Sequence, residues 1–171
     1  MPRITRKLEF DAGHRVLHHE GKCRYLHGHR YVAEITVDCP RLDDLGRVVD
    51  FGVIKEKVGG WIDTNWDHNM ILHPDDPLLG AMVLEPGVSW SEPHSATGGA
   101  LFNNDPIWSG RDPYIMPQRY ANPTAENIAA VLFNVSQELL SSHSGALTVS
   151  RVRIYETPNC YADHLSERTA D

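Results

Sequence analysis

The sequence predicts one α+β domain, in which a largely antiparallel β-sheet packs against two helices. Two segments near the start alternate apolar and polar residues with a period of two, and two later segments repeat apolar residues every three or four positions. A segment near the end is rich in β-branched residues, which favour strands. A length of 171 residues, 41% of them hydrophobic, suits a single compact core.

Two strands open the chain. Across residues 4–14 the even-numbered positions are mostly apolar and the odd-numbered ones mostly polar, as in a strand with one buried face. A second alternation follows the loop 16–26, covers residues 30–38 and ends before Pro40. We expect these two strands to pair antiparallel.

Two helices and a third strand follow. Asp50 is a suitable N-cap for the first helix, which Gly59 and Gly60 weaken. Pro123 and Thr124 open the second helix, which continues through apolar residues at helical spacing. Residues 147–156 then predict a strand, with Val152, Ile154 and Glu156 on one face and Leu147 and Val149 on the other.

Residues 73–121 form a long stretch without clear periodicity. It contains seven of the eleven prolines, together with scattered aromatic residues. Because compact domains rarely contain a structureless loop beyond about 15 residues, we expect an ordered insertion. The prediction is thus a single domain over residues 1–171 with an insertion at about 73–121.

Composition excludes several classes of protein. A net charge of -7 and a pI near 5.8 argue against binding a nucleic-acid duplex or an anionic membrane through a bulk positive field. No apolar run approaches the roughly 20 residues that span a bilayer. The three cysteines, Cys23, Cys39 and Cys160, are too few for a disulfide framework. We therefore expect a cytoplasmic protein whose partners include neither nucleic acid nor membrane.

Three of the ten histidines have the spacing of metal ligands. His27 and His29 flank a glycine just before the second strand, on the side that continues as its apolar face. His14 ends the buried face of the first strand, so pairing of the strands would bring three imidazoles together. Three imidazoles with an open fourth position are typical of a catalytic zinc site. The alternative is that they are ordinary hydrogen-bonded residues at strand ends.

Cys23 precedes His27 by four residues and lies between Lys22 and Arg24. Flanking cations favour the thiolate, which acts as a base or a nucleophile. Two other interpretations stay open, namely a small packing residue and a fourth ligand that closes a structural zinc site.

Three acidic residues and one histidine complete the candidates. Asp67 and His68 are a possible acid–base pair, although neighbours on a helix do not face each other and an exposed polar pair is the simpler interpretation. Glu156 ends an apolar strand face, where an unpaired charge is costly. Its partner is either a planar ligand edge with two N–H donors or an internal arginine. Glu126 is explained by the dipole of the second helix.

With these residues in place, the chain resembles the 6-pyruvoyl-tetrahydropterin synthase / 6-carboxytetrahydropterin synthase family. The resemblance spans residues 10–157 and rests on six motifs in the family's order: Phe10-Asp11-Ala12-Gly13-His14, Cys23-x-x-x-His27-Gly28-His29, Val49-Asp50-Phe51, Asp67-His68, Pro123-Thr124-Ala125-Glu126-Asn127 and Tyr155-Glu156-Thr157. The spacing of the cysteine and the two histidines is the most specific of these.

The resemblance implies a tunnelling fold, with a four-stranded antiparallel sheet and two helices on one side. Such chains form trimers that close into a barrel and pair into hexamers, with active sites between subunits. The residue roles that it implies are these: His14, His27 and His29 bind zinc, Cys23 is the proton-abstracting thiolate, Asp67 and His68 are its relay partners from a neighbouring subunit, and Glu156 anchors the pterin.

The substrate that the resemblance implies is 7,8-dihydroneopterin triphosphate. We expect the branch that forms 6-carboxy-5,6,7,8-tetrahydropterin, triphosphate and acetaldehyde, as in queuosine biosynthesis. The alternatives are a 6-pyruvoyl-tetrahydropterin synthase, a non-catalytic zinc-stabilised pterin binder, and an aldolase or epimerase on a related pterin. The segment 73–121 is longer than the family's usual link, and Arg111 or Arg119 within it is a candidate for binding the triphosphate.

Overall fold

The computed structural model of the protein describes residues 1–79, 112–144 and 146–167. The helices and strands are, in chain order, β1 (Arg3–His14), β2 (His27–Asp38), α1 (Phe51–Ile54), a π-helical segment (Lys55–Gly59), α2 (Gly60–Asn65), β3 (Asn69–Leu72), β4 (Tyr114–Ile115), α3 (Ala125–His143), β5 (Thr148–Thr157) and β6 (Cys160–Leu165). Short 3-10 turns cover Lys22–Arg24 and Gln118–Tyr120. No helix in these described ranges is both long enough and apolar enough to cross a membrane.

The described strands form one mixed sheet in the order β4-β3-β1-β2-β5-β6. The pairs β1–β2, β2–β5 and β5–β6 are antiparallel, whereas β1–β3 and β3–β4 are parallel. The expected sheet of four strands, all antiparallel, is therefore wrong in its count and in omitting two parallel pairs: β3 and β4 extend the antiparallel set β1, β2, β5 and β6 to six strands. Because β3 has four residues and β4 only two, neither is long enough to produce an alternating pattern in the sequence.

Both helical regions begin at the predicted residues. The Asp50 carboxylate accepts a hydrogen bond from the Gly52 amide at 2.7 Å, and the Thr124 hydroxyl accepts one from the Asn127 amide at 3.4 Å. The first helical region runs through α1, the π-helical segment and α2. The π-helical turn ends at Gly59, where the sequence predicts a weakened helix. Gly145, two residues after the last residue of α3, lies outside the described residues.

One hydrophobic core joins the helices to one face of the sheet. Even-numbered residues of β1 and odd-numbered residues of β2 supply the sheet side, where the Phe10 and Tyr31 rings stack at 5.1 Å. Ile54, Ile62 and Leu132, all buried, supply part of the helical side. This packing fixes the sheet face on which the predicted histidines lie.

A register shift in β5 overturns the predicted division of its faces. Thr36 of β2 pairs with Arg151 and Val37 pairs with Val149, so Ser150 has no opposite residue. The extra residue reverses the alternation, as in a β-bulge. Val149 consequently lies in the same core as Val152, rather than on the other face.

Part of the predicted insertion is described, at its two ends. Asp76 is buried and forms an ion pair with Arg15, which follows β1 directly. At the other end, β4 pairs with β3. Residues 80–111, including Arg111, lie outside the described residues. The two ends of the segment are thus attached beside β1 and β3.

Candidate metal and pterin site

The three predicted histidines meet at one end of the β1–β2 hairpin. In the register of this pair His14 is opposite His27, and His29 is opposite Ala12. Alternation places all three rings on the core face of the sheet. One nitrogen from each ring lies within 4.8 Å of the others, and the ring centroids are 4.5 to 5.1 Å apart. The group is therefore able to hold a metal ion.

Hydrogen bonds orient two of these rings towards each other. Nδ1 of His14 lies 2.8 Å from the Pro123 carbonyl oxygen, and Nδ1 of His27 lies 2.7 Å from the Tyr25 carbonyl oxygen. Because a carbonyl only accepts, both Nδ1 atoms must carry the proton in the neutral rings. The two Nε2 lone pairs then face each other across 3.1 Å. Such an arrangement is repulsive without a cation, so the donor set fits a metal ion.

Burial keeps the imidazoles of His14 and His29 neutral. Burial is the main cause that lowers the pKa of His14 to about 4, and the neighbouring rings of His27 and His29 lower it further. The pKa of His29 is also lowered, by burial and by His27. A metal ligand must be deprotonated at the binding nitrogen, so these shifts favour metal binding near neutral pH.

Cys23 is exposed and lies in the loop between β1 and β2. The amide of Val16 donates to its carbonyl oxygen at 2.8 Å, which holds the loop closed. The thiol is close enough to Tyr31 to contribute to that residue's raised pKa, after burial and Glu156. Val16 follows His14 by two residues and Cys23 precedes His27 by four, so the hydrogen bond from the Val16 amide holds the Cys23 backbone in the loop next to the histidine cluster.

Glu156 also faces the histidine cluster. Its Oε1 lies 4.0 Å from Nε2 of His14, and its side chain is 27% exposed. Burial raises the pKa of Glu156, the nearby charge of Glu126 raises it further, and His27 opposes both. Among the described residues Glu156 forms no ion pair with an arginine, so the internal-arginine alternative finds no support. A ligand with N–H donors would satisfy the carboxylate.

Glu126 is the residue that the sequence interpretation missed. It begins α3 and is exposed, and we explained it by the helix dipole alone. The structure places its charge close enough to act on Glu156. No periodic pattern predicts this proximity, because it depends on how α3 packs against β5.

Asp67 and His68 contact each other within one chain. Nδ1 of His68 lies 2.7 Å from the Asp67 carboxylate, and the other carboxylate oxygen accepts the Asp11 amide at 2.9 Å. The objection that helical neighbours cannot face each other is wrong here, because α2 ends at Asn65 and His68 has a φ of 52°. His68 is exposed and lines an open depression of about 500 Å³ together with Asp11 and Arg30.

The candidate residues therefore occupy two places on the chain. Glu156 and the histidine cluster lie at the core face of the β1–β2 hairpin, and Cys23 is exposed in the loop that joins its two strands. Asp67 and His68 lie beside Asp11, whose side chain points to the opposite face. Arg119 is exposed, with its guanidinium 5.5 Å from the centre of the Tyr120 ring.

This chain is similar to known proteins of one enzyme family. A model of the 6-pyruvoyl tetrahydropterin synthase family matches residues 3–167. The 6-carboxy-5,6,7,8-tetrahydropterin synthase of Rickettsia bellii is 41% identical over 164 residues, which cover 95% of this chain and 99% of that protein.

Two solved structures share the fold. A protein from Wolinella succinogenes aligns with a TM-score of 0.72 and 24% identity, covering 97% of this chain and 98% of its own. The 6-pyruvoyl tetrahydropterin synthase of Caenorhabditis elegans aligns with a TM-score of 0.61 and 22% identity, covering 98% of each chain. At these identities the two structures support the fold alone.

Proposed function

The chain belongs to the 6-pyruvoyl tetrahydropterin synthase family of enzymes, and we propose that it converts 7,8-dihydroneopterin triphosphate and one water molecule into 6-carboxy-5,6,7,8-tetrahydropterin, triphosphate and acetaldehyde. The observation that carries the choice of product is the near full-length similarity to a relative of that name. The histidine cluster and Glu156 support the chemistry, because a metal ligand set and a pterin anchor face each other.

The three histidines of the cluster are the proposed zinc ligands. Their Nδ1 hydrogen bonds to Pro123 and Tyr25 fix the ring orientation of His14 and His27. When bound, zinc with an open position polarises a hydroxyl or carbonyl oxygen and lowers the cost of removing a neighbouring carbon-bound proton.

Glu156 is the proposed anchor for the pterin. The 2-amino-pyrimidinone edge presents two parallel N–H donors, which a carboxylate accepts in a bidentate manner. Those donors would replace the water lost on burial and favour the ionised carboxylate. Oε1 of Glu156 lies 4.0 Å from Nε2 of His14, so a pterin held by this carboxylate would lie beside the histidine cluster.

Cys23 and the Asp67–His68 pair are the proposed proton carriers. The Cys23 thiolate removes a carbon-bound proton of the substrate side chain. His68, oriented by the Asp67 carboxylate at 2.7 Å, gives or receives protons at its Nε2. Because Asp67 and His68 lie beside Asp11, whose side chain points away from the core face that carries the histidine cluster, we propose a homo-oligomer, a trimer or hexamer, in which His68 of one subunit serves Cys23 of another.

The test is direct incubation with the substrate. Purified, zinc-loaded protein is mixed with 7,8-dihydroneopterin triphosphate, and the products are identified by mass spectrometry. We expect 6-carboxy-5,6,7,8-tetrahydropterin together with triphosphate and acetaldehyde. Formation of 6-pyruvoyl-tetrahydropterin without acetaldehyde would overturn the proposed product. Binding of the substrate without release of triphosphate would overturn the proposed catalytic activity and favour a non-catalytic pterin binder.

A further inference from the structure

The loop that carries Cys23 is joined to the start of α3 by one side chain. The amide of Leu17, near the beginning of this loop, donates to Oδ1 of Asn122 at 2.8 Å. Nδ2 of Asn122 donates back to the Leu17 carbonyl oxygen at 3.1 Å. Both ends of the Asn122 amide therefore bond to one residue of the loop, which fixes position and orientation together.

Asn122 is itself held rigidly. Its carbonyl oxygen accepts the Thr124 amide at 2.9 Å and Nδ2 of Asn127 at 2.9 Å. Asn127 lies in the first turn of α3, a helix of 19 residues packed into the core. The Asn122 side chain that bonds Leu17 is thus anchored to α3, a long helix of the core.

The same short segment supports a proposed metal ligand. Pro123, directly after Asn122, accepts the hydrogen bond from Nδ1 of His14. On the loop side, Val16 is next to Leu17, and its amide donates to the carbonyl oxygen of Cys23. Residues 122–123 therefore connect to the histidine cluster through His14 and to Cys23 through two consecutive loop residues.

We propose that Asn122 is a positioning residue that holds the Cys23 loop in a fixed place relative to the histidine cluster. It acts through Leu17 and Val16 and touches neither substrate nor metal. The inference rests on the proposed function, since it assigns Asn122 a role in presenting Cys23 to the bound pterin. Misplacing a catalytic group by about 1 Å costs on the order of 100-fold in rate.

The test compares Asn122→Ala with Asn134→Ala. Asn134 is also an asparagine, in α3 itself, but its amide bonds the Ala130 carbonyl of its own helix at 3.0 Å and so controls for loss of an amide. In Asn122→Ala we expect kcat to fall about 10- to 100-fold, with KM for 7,8-dihydroneopterin triphosphate and zinc content unchanged. Asn134→Ala should retain wild-type kcat.

Hydrogen exchange of the whole protein supplies a readout that does not depend on activity. In Asn122→Ala the amides of peptides covering residues 15–26 should exchange about tenfold faster, because Leu17 loses its acceptor. Peptides from the centre of β2 should be unchanged. Wild-type exchange in the loop peptides would overturn the proposal even if the protein proves to have no lyase activity.

Two further outcomes decide between related explanations. Loss of zinc from Asn122→Ala would overturn the proposal, since the residue would then act on His14 through Pro123. Asn122→Asp keeps the acceptor for the Leu17 amide but loses the donor to its carbonyl, so we expect a kcat between those of wild type and Asn122→Ala. If Asn122→Ala does not fold, hydrogen exchange of the loop peptides and kcat are measured on Asn122→Asp instead. Wild-type values of both in Asn122→Asp would overturn the proposal.

Discussion

At the scale of single residues, the hydrogen bond at Nδ1 of a proposed metal-binding histidine matters as much as the metal-binding nitrogen Nε2 itself. The carbonyls of Pro123 and Tyr25 fix the protons of His14 and His27 on Nδ1, leaving Nε2 of each free to bind a cation. Strand alternation was enough to predict that the three imidazoles meet. The hydrogen bond to Pro123 was not predictable, because that carbonyl comes from a residue 109 positions away.

The role of Cys23 is tested by Cys23→Ala. We expect turnover of 7,8-dihydroneopterin triphosphate to fall by at least about 100-fold, because the proposed proton-abstracting group is gone. Zinc content, measured by atomic emission, should match that of wild type.

Cys160→Ala is the matched control, since Cys160 is also an exposed cysteine but belongs to β6. It should keep wild-type turnover. Loss of the metal from Cys23→Ala would instead identify Cys23 as the fourth ligand of a closed structural site.

At the scale of elements, features that depend on local sequence were predictable, whereas features that depend on packing between two elements were not. The long strands β1 and β2 and the start of α3 were predictable, because alternation and capping residues are local properties of the sequence. The register shift at Ser150 was not, since it depends on pairing between β5 and β2. Glu126 was missed for the same reason, because its closeness to Glu156 requires two elements to pack.

The start of the segment 73–121 is attached to the end of β1 by a buried ion pair. Arg15 donates from Nε to the Asp76 carboxylate at 2.7 Å, and the Leu78 amide donates at 2.8 Å. Burial opposes ionisation of this carboxyl, but the bonds from Arg15 and Leu78 outweigh burial and lower the pKa of Asp76. The ionised carboxylate therefore stabilises the fold.

Asp76→Asn should lower the free energy of unfolding at pH 7 by about 2 kcal/mol, because a hydrogen bond to a charged partner is lost in a buried place. Because the pKa of Asp76 is lower in the folded than in the unfolded chain, this carboxylate takes up a proton first in the unfolded chain as the pH falls below about 4. The contribution of Asp76 to the free energy of unfolding therefore disappears at low pH. The difference between wild type and variant should shrink accordingly in urea denaturation measured from pH 7 to pH 3.

Asp75→Asn is the control for this experiment. The side chain of Asp75 is 73% exposed, and its carboxylate lies 3.9 Å from Nδ1 of His73 rather than beside an arginine. We expect a negligible change in unfolding free energy at either pH. An equal loss in Asp75→Asn and Asp76→Asn would show that the Arg15 pair is not the source of stability.

At the scale of the whole molecule, the proposal that Cys23 and His68 of one active site come from different subunits can be tested with mixed oligomers. Cys23→Ala and His68→Ala should each be inactive alone. Once their subunits are exchanged within mixed oligomers, about a quarter of the sites would combine an intact Cys23 from one subunit with an intact His68 from another.

The measurement is turnover after mixing, with oligomer mass from sedimentation. We expect recovery approaching a quarter of wild-type turnover, together with the mass of a trimer or hexamer. Each variant unmixed is the control. No recovery despite demonstrated subunit exchange would mean that the whole site lies within one chain.

The contact between His14 and Pro123 also has a consequence for the order of folding. The hairpin of β1 and β2 brings His14 and His27 together across only 13 residues, but the Pro123 carbonyl arrives only when α3 docks. Long-range contacts of this kind form late, because a large loop must close first. Metal bound to the complete histidine cluster should therefore slow unfolding and leave the rate of folding nearly unchanged. Removing the metal with a chelator should then speed unfolding of the native protein without changing how fast it folds.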